Sequence, residues 1–178
     1  MSTIEQQTEV PTGTWQADTV HSSVAFEVPY AVATFSGEVT DFAATLEDGK
    51  LTGSAKIASI RVKEENLESH LLSPEFFDAE RNPVVGFSGD LIRGAGDAVT
   101  VEGEITLKGI TQPAVLKGTI TGPAVDHFGA NRVGLKLQTT VDRTKFDMNW
   151  NMPLPNGEPA LGNTVTLKAE LTLVAQEA

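Results

Sequence analysis

Asp18, His21 and Ser22 stand close together near the start of the chain. An acid, an imidazole and a hydroxyl are the parts of a nucleophilic triad. Their setting argues against one. There is no Gly-x-Ser-x-Gly elbow and no visible oxyanion loop. A His and a Ser at a strand start more often hydrogen-bond a neighbouring turn. The three histidines, His21, His70 and His127, are far apart and show no His-x-x-x-His or comparable ligand spacing. Glu102 and Glu104 alternate with apolar residues and read as solvated charges, because an acid/base pair needs opposed environments. The stretches DGKLTGSAK and GAGDA are glycine-containing turns and lack the strand–loop–helix context of a phosphate loop. Cysteine is absent, which excludes disulfides, thiolate catalysis and Cys-ligated zinc or iron–sulfur sites. No catalytic residue, metal or cofactor is therefore expected, and the chain is not read as an enzyme.

The elements that would position these groups are mostly strands. Val24, Phe26 and Val28 share one face. So do Phe35, Gly37 and Val39, and Leu51, Gly53, Ala55 and Ile57. Val99, Val101, Gly103, Ile105 and Leu107 oppose Thr100, Glu102, Glu104 and Thr106. Val133, Leu135, Leu137 and Val141 oppose Lys136, Gln138 and Thr140. Val165, Leu167, Ala169, Leu171 and Leu173 oppose Thr166, Lys168, Glu170 and Thr172. Side chains alternate across a sheet, so each run predicts a strand with one wet and one dry face. The short turns LEDGKL, RGAGDA and KGITQP predict antiparallel hairpins. Residues 64–83 have helical spacing instead. Ser73–Pro74–Glu75 reads as a helix start and Asn82–Pro83 as its stop. The sum is about eight strands with a short helical insertion after the third. Such strands stack as two sheets or close into a barrel. Gly37, Gly53, Gly89, Gly103 and Gly118 fall on dry faces, either because barrel strands coil there or because the interior is kept open.

Bulk properties bound the partners. The chain of 178 residues is long enough for one domain with a core, hiding roughly 70% of the unfolded chain's surface. Residues 1–12 are polar and predict a disordered lead before a domain at 13–176. A net charge of −11 argues against nucleic acid and anionic membrane surfaces. No apolar run is long enough for a membrane-spanning helix. The first residues lack a basic segment and an apolar segment, so the expected location is the cytoplasm, or the periplasm or exterior if an upstream signal is missing. Aromatic residues are numerous beside the shortage of convergent reactive groups. With glycines on dry faces, they fit a carrier of an apolar ligand.

Four stretches carry a resemblance to a known family. The first is W-x-x-D-x-x-H-S-S-V-x-F-x-V from Trp15 to Val28, followed by Phe35-Ser-Gly. The second is H-L-L-S-P-E-F-F-D-A-E-x-x-P-V-V-x-F-S from His70 to Ser88. The third is G-E-I-T-L-K-G-I-T-Q-P-A-V-L from Gly103 to Leu116. The fourth is R-V-G-L at Arg132, then D-R-T-K-F ending at Phe146, then L-G-N-T-V from Leu161. In this order they resemble the YceI-like family of polyisoprenoid-binding, lipocalin-like proteins, over nearly the whole chain. Tyr30 stands where that family often has His, and Asp147 where Gly is common. The resemblance implies an all-β fold, an eight-stranded antiparallel barrel. It also implies an interior for a long apolar lipid such as a polyisoprenoid or isoprenoid quinone, frequent homodimers and no catalysis.

Expected wall residues are Phe26, Val28, Phe35, Phe42, Phe87, Val101, Ile105, Leu135, Phe146 and Trp150, with Leu71, Phe76 and Phe77 from the helical insertion. Tyr30 and Arg143 are the expected polar contacts. Binding, carrying or sequestering such a lipid is the leading reading. The alternatives are a closed structural barrel that meets a protein partner through its acidic surface, and an enzyme using the cavity with Asp18 and His21 as its polar pair.

Overall fold

Two-residue turns set much of the register. Asp48–Gly49 and Lys108–Gly109 both have positive φ at each residue, the geometry that matches the twist of a tight hairpin. In the computed structural model, which describes residues 10–176, these turns join strands of one antiparallel sheet. The segments are β1 (Thr14–Ala17), β2 (Ser23–Tyr30), β3 (Ala33–Val39), β4 (Phe42–Glu47), β5 (Lys50–Lys56), β6 (Ile60–Arg61), β7 (Val84–Arg93), β8 (Ala98–Leu107), β9 (Ile110–Val125), β10 (Asn131–Asp142) and β11 (Thr164–Ala175). One helix, α1 (Glu65–Leu72), follows β6.

The segments form eight strands, because three strands are broken. β1 and β2 run along the same edge of β11, at Trp15↔Ala175 and Phe26↔Leu167. β3 and β4 pair with β2 and β1 in turn, and β6 and β5 with β3 and β4. Hydrogen bonds hold the breaks. Ser59 Oγ donates to Lys56 O at 2.7 Å and accepts from Asp41 N at 2.9 Å, and Thr40 Oγ1 donates to Ser59 O at 2.9 Å. From β5 the order runs through β7, β8, β9, β10 and β11 and returns to β1, so the barrel closes. Closure leaves every dry face pointing inward. The expected eight-stranded antiparallel barrel, with its insertion after the third strand, is the fold.

Closure is complete at one end only. β9 and β10 stay paired to Lys117↔Gln138 and then separate. The gap receives a short 3-10 turn, Arg143–Phe146, whose Phe146 is buried with Ile105, Ala114 and Met148. Thr139 Oγ1 bridges it to Val115 O at 2.8 Å.

The helical insertion differs from its sequence reading. The helix begins where the Glu64 carboxylate accepts from Asn66 N and Leu67 N, and it ends at Ser73, which caps its C-terminus. Ser73–Pro74–Glu75 therefore does not start a helix. Ser73 Oγ donates back to His70 O at 2.6 Å, and Phe76 N and Asp78 N both return to Ser73 O. Pro74 restrains the residue before it to extended backbone, which stops α1 instead of opening a second helix. Of the lead at 1–12, residues 1–9 lie outside the described residues. Val10 packs against the core, and Thr12 O accepts from Trp15 Nε1 at 2.9 Å.

Of the dry-face glycines, Gly103 and Gly118 sit where strands approach too closely for a side chain. A Cβ would run into the Ser88 carbonyl at Gly103 and the Lys136 carbonyl at Gly118. Coiling of the wall explains both. Gly53 is different, since only the Ala43 carbonyl, 3.6 Å away, lies near the place of its Cβ.

Candidate functional site

The barrel interior divides along its axis. At the end where β1 closes on β11, Trp15, Leu46, Val99, Val101, Val133, Leu135 and Leu173 are almost without exposure and form a continuous core. The other end is hollow. A cavity of about 320 Å³ lies there, at the low end of the range for small-molecule sites, roughly 300–1,000 Å³.

The walls come from several strands and from the insertion. β2 supplies Phe26, Val28 and Tyr30, and β3 supplies Phe35, whose ring centroid lies 6.1 Å from that of Phe26. Phe42, Phe87 and Ile105 line the cavity from β4, β7 and β8. Phe146 enters from the 3-10 turn in the β9–β10 gap. Leu71 of α1, Phe76 and Phe77 of the following turn, and Trp150 of the loop between β10 and β11 complete it. Val101 and Leu135 do not line it. They face inward as parity requires, but at the depth where the barrel is filled.

The insertion and the β10–β11 loop form one cap, joined by the His70–Trp150 ring contact and by the Lys108 ammonium that reaches both. His70 stacks edge-on against both Phe76 and Trp150, at centroid distances of 4.9 and 4.6 Å. His70 Nε2 lies 2.7 Å from Glu75 Oε2. Lys108, from the β8–β9 turn, donates to Pro74 O at 2.9 Å and Asp147 O at 2.8 Å. Asp147 has φ +60° and caps the 3-10 turn, which accounts physically for the glycine common at this position in the resembling family.

Arg143 is 4% exposed and lines the cavity. Its Nε donates to Gly162 O at 2.8 Å, its Nη1 to Met148 O and Trp150 O at 2.7 and 2.9 Å, and its Nη2 to Leu161 O at 3.4 Å. Burial pushes its guanidinium below the ordinary value. These bonds make it the internal frame of the cap. Tyr30 is half-exposed at the rim, bridged to Leu161.

Asp18, His21 and Ser22 lie outside the cavity, at the break between β1 and β2. Asp18 Oδ2 is 2.8 Å from His21 Nδ1 and accepts from Arg132 Nη1 at 2.9 Å. These two partners, His21 first, hold its carboxyl well below the usual range. Arg132 also donates through Nε to Asp126 at 2.6 Å, and Ser22 Oγ accepts from Thr172 N at 2.9 Å. The cluster ties the strand break to the β9–β10 hairpin. The alternative of an enzyme using the cavity with Asp18 and His21 loses its geometry, because neither residue lines the cavity. Among the described residues no three His, Asp or Glu side chains gather as a metal site, and no helix is long and apolar enough to cross a membrane.

Several lining residues were not foreseen. Leu137, Leu167 and Leu171 were already on dry faces by parity, so their strands had marked them. Met148 and Leu161 lie in the β10–β11 loop, where no periodicity marks an inward side chain.

A family model for the YceI-like domain matches residues 15–173. The chain belongs to the YceI-like family. Curated relatives include a UPF0312 protein of Pseudomonas putida, 29% identical over 113 residues, which are 63% of this chain and 59% of that protein. Another, from Photorhabdus laumondii, is 26% identical over 113 residues, 64% and 59% of the two chains. The match thus spans about 59% of these relatives' length. Among solved structures, BcnA of Burkholderia cenocepacia superposes with a TM-score of 0.76 at 16% identity, covering 88% of this chain and 98% of that one. A polyisoprenoid-binding domain of Saccharophagus degradans, implicated in plant cell wall breakdown, gives 0.72 at 10% identity, covering 91% and 98%. A YceI protein of Campylobacter jejuni gives 0.71 at 21% identity, covering 82% and 88%. These likenesses establish the YceI-like barrel fold.

Proposed function

We propose that this YceI-like chain binds the apolar chain of a lipid, such as a prenyl or acyl chain, in the hollow end of its barrel, and so carries or sequesters it in water. One observation carries the reading: a cavity of about 320 Å³ walled by aromatic and aliphatic side chains, inside a barrel whose other end is solid. The Saccharophagus degradans domain, described as polyisoprenoid-binding, supports it by likeness. Burying hydrocarbon yields about 0.8 kcal/mol per CH2 group. A chain of a few isoprene units therefore offsets an association cost of roughly 4–15 kcal/mol. The cap side chains Phe76, Phe77 and Trp150 keep water off the bound chain.

The test is native mass spectrometry of protein purified from a bacterial host, followed by organic extraction, on the wild type and on Ala55→Trp. Ala55 lines the cavity and is 7% exposed, so an indole there fills the hollow. The wild type should carry or take up a lipid-class adduct, and the folded Ala55→Trp variant should not. A wild type that stays empty even after incubation with farnesol overturns the reading.

A further inference from the structure

The hollow end stops abruptly. Ala44, Leu51, Leu137 and Leu171 come from four strands, β4, β5, β10 and β11. They line the cavity and also belong to the core of the filled end. Behind them Leu46, Val101, Leu135 and Leu173 are fully buried, each at 0% exposure. A close-packed interior of this kind admits no further methylene. Along β11 the lining runs from Val165, next to the cap loop, to Leu171. That stretch is about 20 Å along the strand, or about 15 Å along the axis of a tilted barrel. The four floor side chains hold no polar atom, so a head group placed there would lose its water without gaining a partner. The rim, in contrast, includes Tyr30, a residue with a polar end that is 45% exposed.

We propose that Ala44, Leu51, Leu137 and Leu171 form a floor that sets the length of chain the cavity accepts, the chain entering tail first with its polar end at the Tyr30 rim. This inference rests on the lipid-binding reading and adds its specificity. Prenols short enough to lie above the floor fit completely. Longer ones leave their head-group end outside the mouth, and the extra units contribute nothing.

The experiment is a binding titration of the full chain with linear prenols of rising length: geraniol, farnesol, geranylgeraniol and solanesol. In the wild type, affinity should rise roughly tenfold or more per isoprene unit and then stop rising at a definite length. Ala44→Phe raises the floor and should move that stop to a shorter prenol. Leu137→Ala lowers it and should move the stop to a longer one. Val101→Ala, below the floor, makes a comparable deletion in the filled core and should leave the stop in place. Ala44→Leu removes nothing from the core and replaces either floor variant that fails to fold. An unmoved stop in the folded floor variants, or an equal movement in Val101→Ala, overturns the floor while leaving lipid binding intact. A wild type that binds none of the prenols, nor fatty alcohols of matching length, overturns lipid binding and the floor with it.

Discussion

The two ends of this barrel share strands but not interiors. Val101 and Ile105 are on the same face of β8, yet Val101 belongs to a solid core and Ile105 to a cavity wall. In the filled end the strands pair all round, from β1 on β11 to β9 on β10, and Gly118 lets the walls approach. In the hollow end β9 and β10 part, the β1 and β4 segments give way to the β2–β3 hairpin, and side chains from a cap replace the missing wall. Close packing and open volume thus fall to different halves. One half is packed to the density that fixes a barrel. The other sacrifices some packing to keep room.

Deletions should cost far more in the filled half. Leu46 is fully buried there, and Leu46→Ala should cost about 2–5 kcal/mol in urea unfolding. Val165→Ala only widens a space already present, and should cost about 1 kcal/mol. Similar costs would break the comparison. The next effect is kinetic and belongs to the cap. Lys108→Met removes the ammonium that ties Pro74 to Asp147. Release of a bound prenol, followed by stopped-flow exchange, should be about fivefold faster, with little change in unfolding midpoint. The smallest effect lies outside both interiors, at Asp18. Its folded pKa is depressed by His21 and Arg132, so its contribution is present above the ordinary carboxylate pKa of about 3.9 and is lost as pH falls through the folded value. Asp18→Asn should lower Tm by no more than about 2–4 °C at neutral pH. Thermal melts at falling pH should show that gap narrowing below about pH 4.

The dry and wet faces were legible from period-two alternation, and the barrel followed from them and the family resemblance. Depth along the axis was not. Leu135 and Leu137 are two residues apart on one face, and only Leu137 reaches the cavity. Parity says which way a side chain points, not what stands opposite it across a closed sheet. The Ser73–Pro74–Glu75 segment misled for a local reason: its residue types suit a helix start, but Ser73 is already spent closing α1. Arg143 was expected as a polar contact, and the cap's carbonyls that surround it come from a loop with no sequence period. Phe128 shows the limit of counting aromatics, since it stands 94% exposed on the β9–β10 hairpin.

The chain has two tryptophans, and they report on the two halves. Trp15 is buried in the filled end, and Trp150 lines the cavity. The most direct test is fluorescence quenching by a brominated fatty alcohol in Trp15→Phe and Trp150→Phe variants. The account predicts that the emission of Trp150 is quenched on binding and that of Trp15 is not. Equal quenching of both, quenching of Trp15 alone, or quenching of neither would contradict it.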